Sequence, residues 1–348
     1  MKIAVPALAA TLVVALAPTA TLEAQQAERF DLTGSHITLY NLVGTLQVGP
    51  ASGSSAIAEV TRQGADGAKL TIRNDGGTLR VIYPADAYVY PAMGSNSQTT
   101  LRVRDDGSFN GDWKDGGRKV RITSRGSGSS AWADIKLALP AGTRAELNLG
   151  VGKVTLANVN GAIEVETASG DVEATATSGS LSIDTGSGDV TLAGHDGPLS
   201  VDTGSGDVVL GNVKTGDASV DTGSGDIRIN GLEAAELEID TGSGDVTVTA
   251  AAVGVINIDT GSGDVRIGLT TDISELSVDT GSGDVELMAP RSLGASVEIE
   301  TSSGDIETEF PLQVTRKGRD GLTGTIGDGK GTISIDTASG DVRLKVQP

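Results

Sequence analysis

The stretch VDTGSGDVVL, residues 201–210, holds the Asp-Thr-Gly-Ser of a pepsin-like aspartic protease loop. It also overlaps the Gly-x-Gly-Asp of a calcium-binding β-roll. Its recurrence decides between these readings. DTGSGD occurs six times without change, from Asp184, Asp202, Asp221, Asp240, Asp259 and Asp279. Variants begin at Glu166 (ETASGD), Glu300 (ETSSGD) and Asp336 (DTASGD). The closing Asp falls at Asp171, Asp189, Asp207, Asp226, Asp245, Asp264, Asp284 and Asp305, in steps of 18, 18, 19, 19, 19, 20 and 21 residues. A step of 36 then leads to Asp341, as if one coil had lost the phrase or taken an insertion. A degenerate earlier copy, LNLGVGKVTL from Leu147, puts Lys153 18 residues before Asp171. A period near 19 is that of a solenoid, and it outranks any motif inside one repeat.

Each unit reads as two short strands and two turns. Alternation precedes the phrase (Leu199, Val201) and follows it (Val208, Leu210), with aliphatic residues inward and Ser, Glu, Thr or Arg outward. Stretches such as NVNG and AGHDG make the second corner. One unit cannot bury its apolar face alone; stacked units pair about 4.8 Å apart, so about ten coils make a rod of about 50 Å. The expectation is an all-β, single-stranded parallel β-helix with 18–21 residues per coil. Its thin aliphatic interior leaves no room for rings.

The copies assign roles within the turn. The second glycine (Gly188, Gly206, Gly225, Gly244, Gly263 and Gly283 in the identical copies) never varies, which points to a positive φ. The first gives way to Ala168, Ser302 and Ala338, so smallness suffices there. The invariant Thr predicts a hydroxyl ladder in the corner, and the closing Asp an Asx-type turn. A protease needs two carboxylates brought together from two lobes. A row of copies in register has neither cleft nor flap, so the Asp-Thr-Gly is a turn.

The calcium reading needs an Asp where Val190, Val208 and Ile227 stand, so the β-roll cage is not reproduced. Stacking does place Asp184, Asp202, Asp221, Asp240, Asp259 and Asp279 in one acidic column, flanked by Glu166 and Glu300. Neighbours about 4.8 Å apart repel by about 1 kcal/mol in water and about 3.5 at an effective dielectric near 20. The column needs screening, protonation or cations, and Ca²⁺ is the candidate ligand. The plainer reading is a solvated acidic face. No cofactor is required, and no catalytic residue is assigned. His36 and His195 are the only histidines, and His195 reads as a surface turn residue. Arg228 and Arg266 lie outward among the Asp residues, in the manner of a polysaccharide lyase base, but charge balance explains them as well.

The chain has 348 residues, 49 glycines, no cysteine and nine aromatic residues, all but Phe310 at or before Trp132. Between Ala162 and Glu309, 29 Asp and Glu face 4 Lys and Arg, a net of −25 against −20 for the whole chain. Such a surface argues against nucleic acid as a partner. Lys2, the apolar run IAVPALAATLVVALAP and small residues beyond it read as an export signal, residues 1–24, with Ala20 and Ala27 as alternative cleavage points. No later run is long enough to span a membrane. The expected location is the periplasm, cell surface or exterior.

Residues 25–140 form a less regular β-rich region or cap, and residues 141–348 the repeat domain, with an insertion near 310–331 that reads as a protruding hairpin. Loops at 85–100 and 105–118 carry Tyr88, Tyr90, Phe109 and Trp113. These rings either dock sugar or protein or fold down to cap the open end of the solenoid. The final VRLKVQP, with Arg343, Lys345 and Pro348, reads as an edge-blocking strand at the other end.

The SVDTGSGDV-type units, the ERFDLTG…ITLYNLVG opening and the late TGTIGDGKGTISIDTASGDVRL resemble the bacterial putative-adhesin domain family of exported β-strand-repeat proteins. The resemblance implies a right-handed winding and a place at the cell envelope. Two alternatives accompany the adhesin or scaffold expectation: a Ca²⁺-dependent carbohydrate-binding protein and a polysaccharide-cleaving β-helix. A surface polysaccharide or an envelope protein is the expected partner.

Overall fold

The computed structural model describes residues 27–109, 116–318 and 321–347. The export signal read at 1–24 therefore lies outside the described residues, as does Trp113. Apart from one 3-10 turn at Gly67–Lys69, the regular structure is strand. The fold is all-β and β-solenoid-like.

From the Glu166 repeat to the Asp279 repeat, each pairs in parallel with the next. Asp184 lies opposite Asp202, and Asp202 opposite Asp221. On the other side of the turn Val190 lies opposite Val208, and Val208 opposite Ile227. Val190, Leu192, Val208, Leu210, Ile227 and Ile229 point inward and are buried. Thr191, Val209 and Arg228 alternate with them and are exposed. Each buried aliphatic side chain contributes about 1.5–3 kcal/mol.

Stacking, more than torsion, makes the second glycine obligatory. A Cβ on Gly244 would lie 2.0 Å from the carbonyl oxygen of Gly225, and one on Gly206 would lie 2.1 Å from that of Gly188. In Gly225, Gly244, Gly263 and Gly283 φ is 150–158°, at the margin of extended backbone, so close approach is the stronger constraint. The column starts earlier than the repeats do. Gly152 lies over Gly44, where a Cβ would come within 1.7 Å of the Gly44 carbonyl oxygen.

The stack therefore crosses the composition boundary near 140. Strand His36–Pro50 is itself a coil, paired in parallel with Thr143–Ala157 so that Leu46 lies opposite Val154. Thr78–Ile82 and Trp132–Leu139 continue the parallel ladder below it, against its first and second halves. Antiparallel strands Glu28–Leu32, Ala56–Gln63 and Thr71–Asp75 then close that end.

The other end departs from sequence order. Glu275–Thr280 and Val285–Ala289 pair with Gly331–Thr337 and Val342–Val346, the last strands of the chain. These in turn pair with Ala295–Thr301 and Ile306–Thr308. The final coil is thus inserted beneath the one that precedes it in sequence. VRLKVQP does not block an edge, because Val342–Val346 has neighbours on both sides. The insertion is a hairpin, Leu312–Lys317 with Gly321–Ile326. Its second strand lies antiparallel on Ala295–Thr301, capping the terminal coil.

Candidate functional site

The outward face carrying the first Asp of each repeat is one continuous column of carboxylates. From Glu166 the column runs through Asp184, Asp202, Asp221, Asp240, Asp259, Asp279 and Asp336 to Glu300. Asp336 joins it although it follows Asp279 by 57 residues. Partial burial, then the neighbouring carboxylate, pushes Asp184, Asp202, Asp221 and Asp240 above the usual Asp range. For Asp184 that neighbour is Glu164, and for Asp202 it is Asp184. Among the described residues no group of three or more His, Cys, Asp or Glu converges in a geometry that would hold a metal ion.

Beside the column runs an open groove of about 380 Å³, lined by Ser182, Ser200 and Ser219 together with Asp217, Glu236 and Glu238. Its lining offers hydroxyls and carboxylates but no aromatic side chain. At the column's lower end Glu146 accepts hydrogen bonds from the Tyr40 hydroxyl (3.4 Å) and the Asn148 amide (3.2 Å). The Arg80 guanidinium lies 5.8 Å from the centre of the Tyr40 ring.

The closing Asp of each repeat has a different task from the expected Asx turn. Its carboxylate accepts the backbone N–H of its counterpart in the next coil. Asp226 N–H donates to Asp207 Oδ1 (2.9 Å), Asp245 to Asp226 (3.0 Å) and Asp264 to Asp245 (2.9 Å). The outer oxygens hold the arginines: Arg228 on Asp226 (2.6 Å), Arg266 on Asp264 (2.7 Å) and Arg343 on Asp341 (2.6 Å). Arg228 and Arg266 are thus engaged in charge balance.

Thr167, Thr185, Thr203, Thr301 and Thr337 donate to glycine carbonyls inside the corner, as the expected ladder requires. Thr222, Thr241, Thr260 and Thr280 are equally buried but lack a hydrogen-bond partner. His195 is not a surface turn residue. It is 4 % exposed, on the inward column of the second corner, between Thr177 and Val213. Thr177 Oγ1 lies 3.0 Å from its Nδ1, and burial pushes its pKa down.

The aromatic loops fold inward. Tyr88, Tyr90 and Phe109 are buried, so their faces are closed to sugar or protein and serve packing instead. Tyr83 and Tyr88 meet edge to face at 5.2 Å, Tyr40 and Phe109 at 5.7 Å, and Tyr90 and Trp132 at 5.6 Å. The Tyr83 hydroxyl lies 2.7 Å from both Asn41 Oδ1 and the Val43 carbonyl, while Asn41 Nδ2 donates to the Ala133 carbonyl. Nothing in the alternation pattern signals this buried polar cluster. The signal for the early coil was present, in LVGTLQV at 42–48 against GVGKVTLA at 150–157.

Residues 197–345 match the Toastrack DUF4097 family. The Toastrack match bears out the resemblance drawn from the DTGSGD units, and it spans both the sequential coils and the inserted last one. No curated protein matches the chain. Three solved structures match most of the chain's length. A putative cell adhesion protein from Clostridium sporogenes is 12% identical, covers 92% of this chain and 99% of its own, and has a TM-score of 0.20. A putative adhesin from Parabacteroides distasonis is 11% identical, with 92% and 96% covered and a TM-score of 0.40. Another from Bacteroides fragilis is 12% identical, with 91% and 95% covered and a TM-score of 0.35. Among the described residues no helix is long and apolar enough to cross a membrane.

Proposed function

We propose that this chain is an exported, non-enzymatic scaffold of the adhesin type at the cell envelope, built as a right-handed single-stranded β-helix. One observation carries the reading: the repeated residues are consumed by the fold. The closing Asp carboxylates accept backbone N–H groups, the glycines touch the coil beneath, and the Thr hydroxyls are buried. What remains outward is a long acidic face suited to display. A polysaccharide or protein of the envelope is the partner class. Cells lacking the protein should lose surface attachment or envelope integrity and regain it with the intact chain. Release of oligosaccharide ends by the purified protein would overturn the non-enzymatic reading.

A second reading, Ca²⁺-dependent carbohydrate binding, is favoured by the stacking of the first-Asp carboxylates in one column, whose mutual repulsion a bridging cation would relieve. Thermal unfolding followed by circular dichroism in EDTA, Ca²⁺, Mg²⁺ and Na⁺ at matched ionic strength separates the two. A saturable rise with Ca²⁺ alone supports cation sites; equal rises in all salts mean screening.

A further inference from the structure

The strands Ala87–Val89, Gln98–Val103 and Arg118–Thr123 form a separate three-stranded sheet. It is held against the molecule by its inner side chains, with Tyr88, Val103, Val120 and Ile122 buried. Its outer face carries Arg102 directly opposite Lys119, and Thr100 directly opposite Arg121. Three cations therefore share one flat face. Like charges directly opposite each other destabilise a sheet, and burial gives no reason for them, since all three are exposed. Among the described residues Lys119 and Arg121 have no ion-pair partner.

The complement to this face stands on the solenoid. Asp221 and Asp240 are opposite each other on adjacent coils, and Glu238 is two residues before Asp240 on the same strand. All three are exposed. Both surfaces are β-sheet faces, so their charges lie on the same lattice. Cross-strand neighbours are about 4.5–5.5 Å apart and alternate residues along a strand about 6.8 Å apart. Arg102 and Lys119 therefore match Asp221 and Asp240 in spacing, and the step from Lys119 to Arg121 matches that from Asp240 to Glu238. The match favours another copy of this chain over an anionic glycan, whose charges follow the repeat of its sugars.

We propose that the basic face of the three-stranded sheet docks on the acidic flank of a second copy of this chain. The contact is heterologous: the copy that gives its basic face keeps its acidic flank, and the copy that gives its acidic flank keeps its basic face, so association propagates. Its salt dependence has a definite form. At about 0.01 M salt, with a Debye length of about 30 Å, the whole bodies of net −20 repel. At about 0.1 M the length is about 10 Å and only the facing patches interact, while near 1 M, at about 3 Å, the patches are screened too.

Sedimentation velocity of the purified protein at these three salt concentrations tests the idea, with self-association expected to peak at the middle one. K119E/R121E and E238K/D240K should each weaken it by about tenfold or more. Mixing the two variants should restore mixed assemblies, and unchanged thermal midpoints would show that both fold. A monomer at every salt concentration, or association indifferent to both reversals, overturns the proposal. A monomer that binds polygalacturonate through Lys119 and Arg121 also overturns it and assigns the face to an anionic glycan.

Discussion

The backbone N–H of Asp305 donates to the carboxylate of Asp341 at 2.9 Å, although Asp341 follows it by 36 residues. Asp341 donates in turn to Asp284, 57 residues before it, also at 2.9 Å. The coil that ends the chain is therefore the next to last in space.

Removal of residues 331–348 should consequently damage more than an end. Residues 295–308 would lose the parallel strands that join them to the stack and keep only the hairpin as a partner. Limited proteolysis read by mass spectrometry should show new cleavage between Arg291 and Lys317, with the coils up to Ala289 still protected. Continued protection of 295–308 would mean that the coils stack in sequence order.

Gly244→Ala should cost about 2 kcal/mol or more in urea unfolding, because the new methyl meets the Gly225 carbonyl at 2.0 Å. Gly216→Ala is the control: its Cβ would meet nothing within 4 Å. Equal stabilities would remove backbone contact as the reason for the glycine.

Tyr83→Phe should destabilise by about 1–3 kcal/mol, since it removes the one buried hydroxyl proton that Asn41 Oδ1 and the Val43 carbonyl share. Denaturant midpoints of Y83F and the double variant N41L/Y83F check this. With the single variant N41L the cycle closes, and the double variant should differ from the sum of the two singles.

The acidic column predicts a gain of stability in mild acid. Asp184, Asp202, Asp221 and Asp240 have pKa values raised by folding, so the folded state holds more protons than the unfolded one just above the ordinary Asp range. Their contribution is fully present below the unfolded value and is lost as pH rises through the folded ones. D202N/D240N should raise the thermal midpoint at neutral pH and flatten the slope between neutrality and pH about 4. An unchanged slope would remove the column as its source.

His195 acts in the opposite direction. Its folded pKa is lowered, so the unfolded chain takes up the proton first and stability falls as pH drops below about 6.5. T177V/H195L should lessen that loss, because Val213 and Leu232 already fill the same column with aliphatic side chains. A midpoint that falls equally in variant and parent would place the acid sensitivity elsewhere.

The legibility of the chain followed its periodicity. Strict recurrence of DTGSGD determined the coil length, the inward positions, the facing of Asp202 with Asp221 and the shortage of rings, because each follows from stacking identical units. Where identity fades the reading fades with it. His36–Pro50 is a coil although 92 residues separate Asn41 from Ala133, whose carbonyl it binds in the ladder below. The loops between them carry rings that pack on the coil and the strand below it, Phe109 on Tyr40 and Tyr90 on Trp132, which alternation could not place. The turn letters marked the closing Asp and second glycine as necessary but misassigned their reasons, since both serve the neighbouring coil rather than their own turn.

By itself the sequence determined what one coil is. Tertiary structure alone decided the order of the coils: parallel strands of equal pattern pair with any equivalent strand, and local chemistry does not distinguish Asp284–Asp305 from Asp284–Asp341. The hairpin Leu312–Ile326 resolves that degeneracy by folding back along Ala295–Thr301 and directing the chain into the gap beneath.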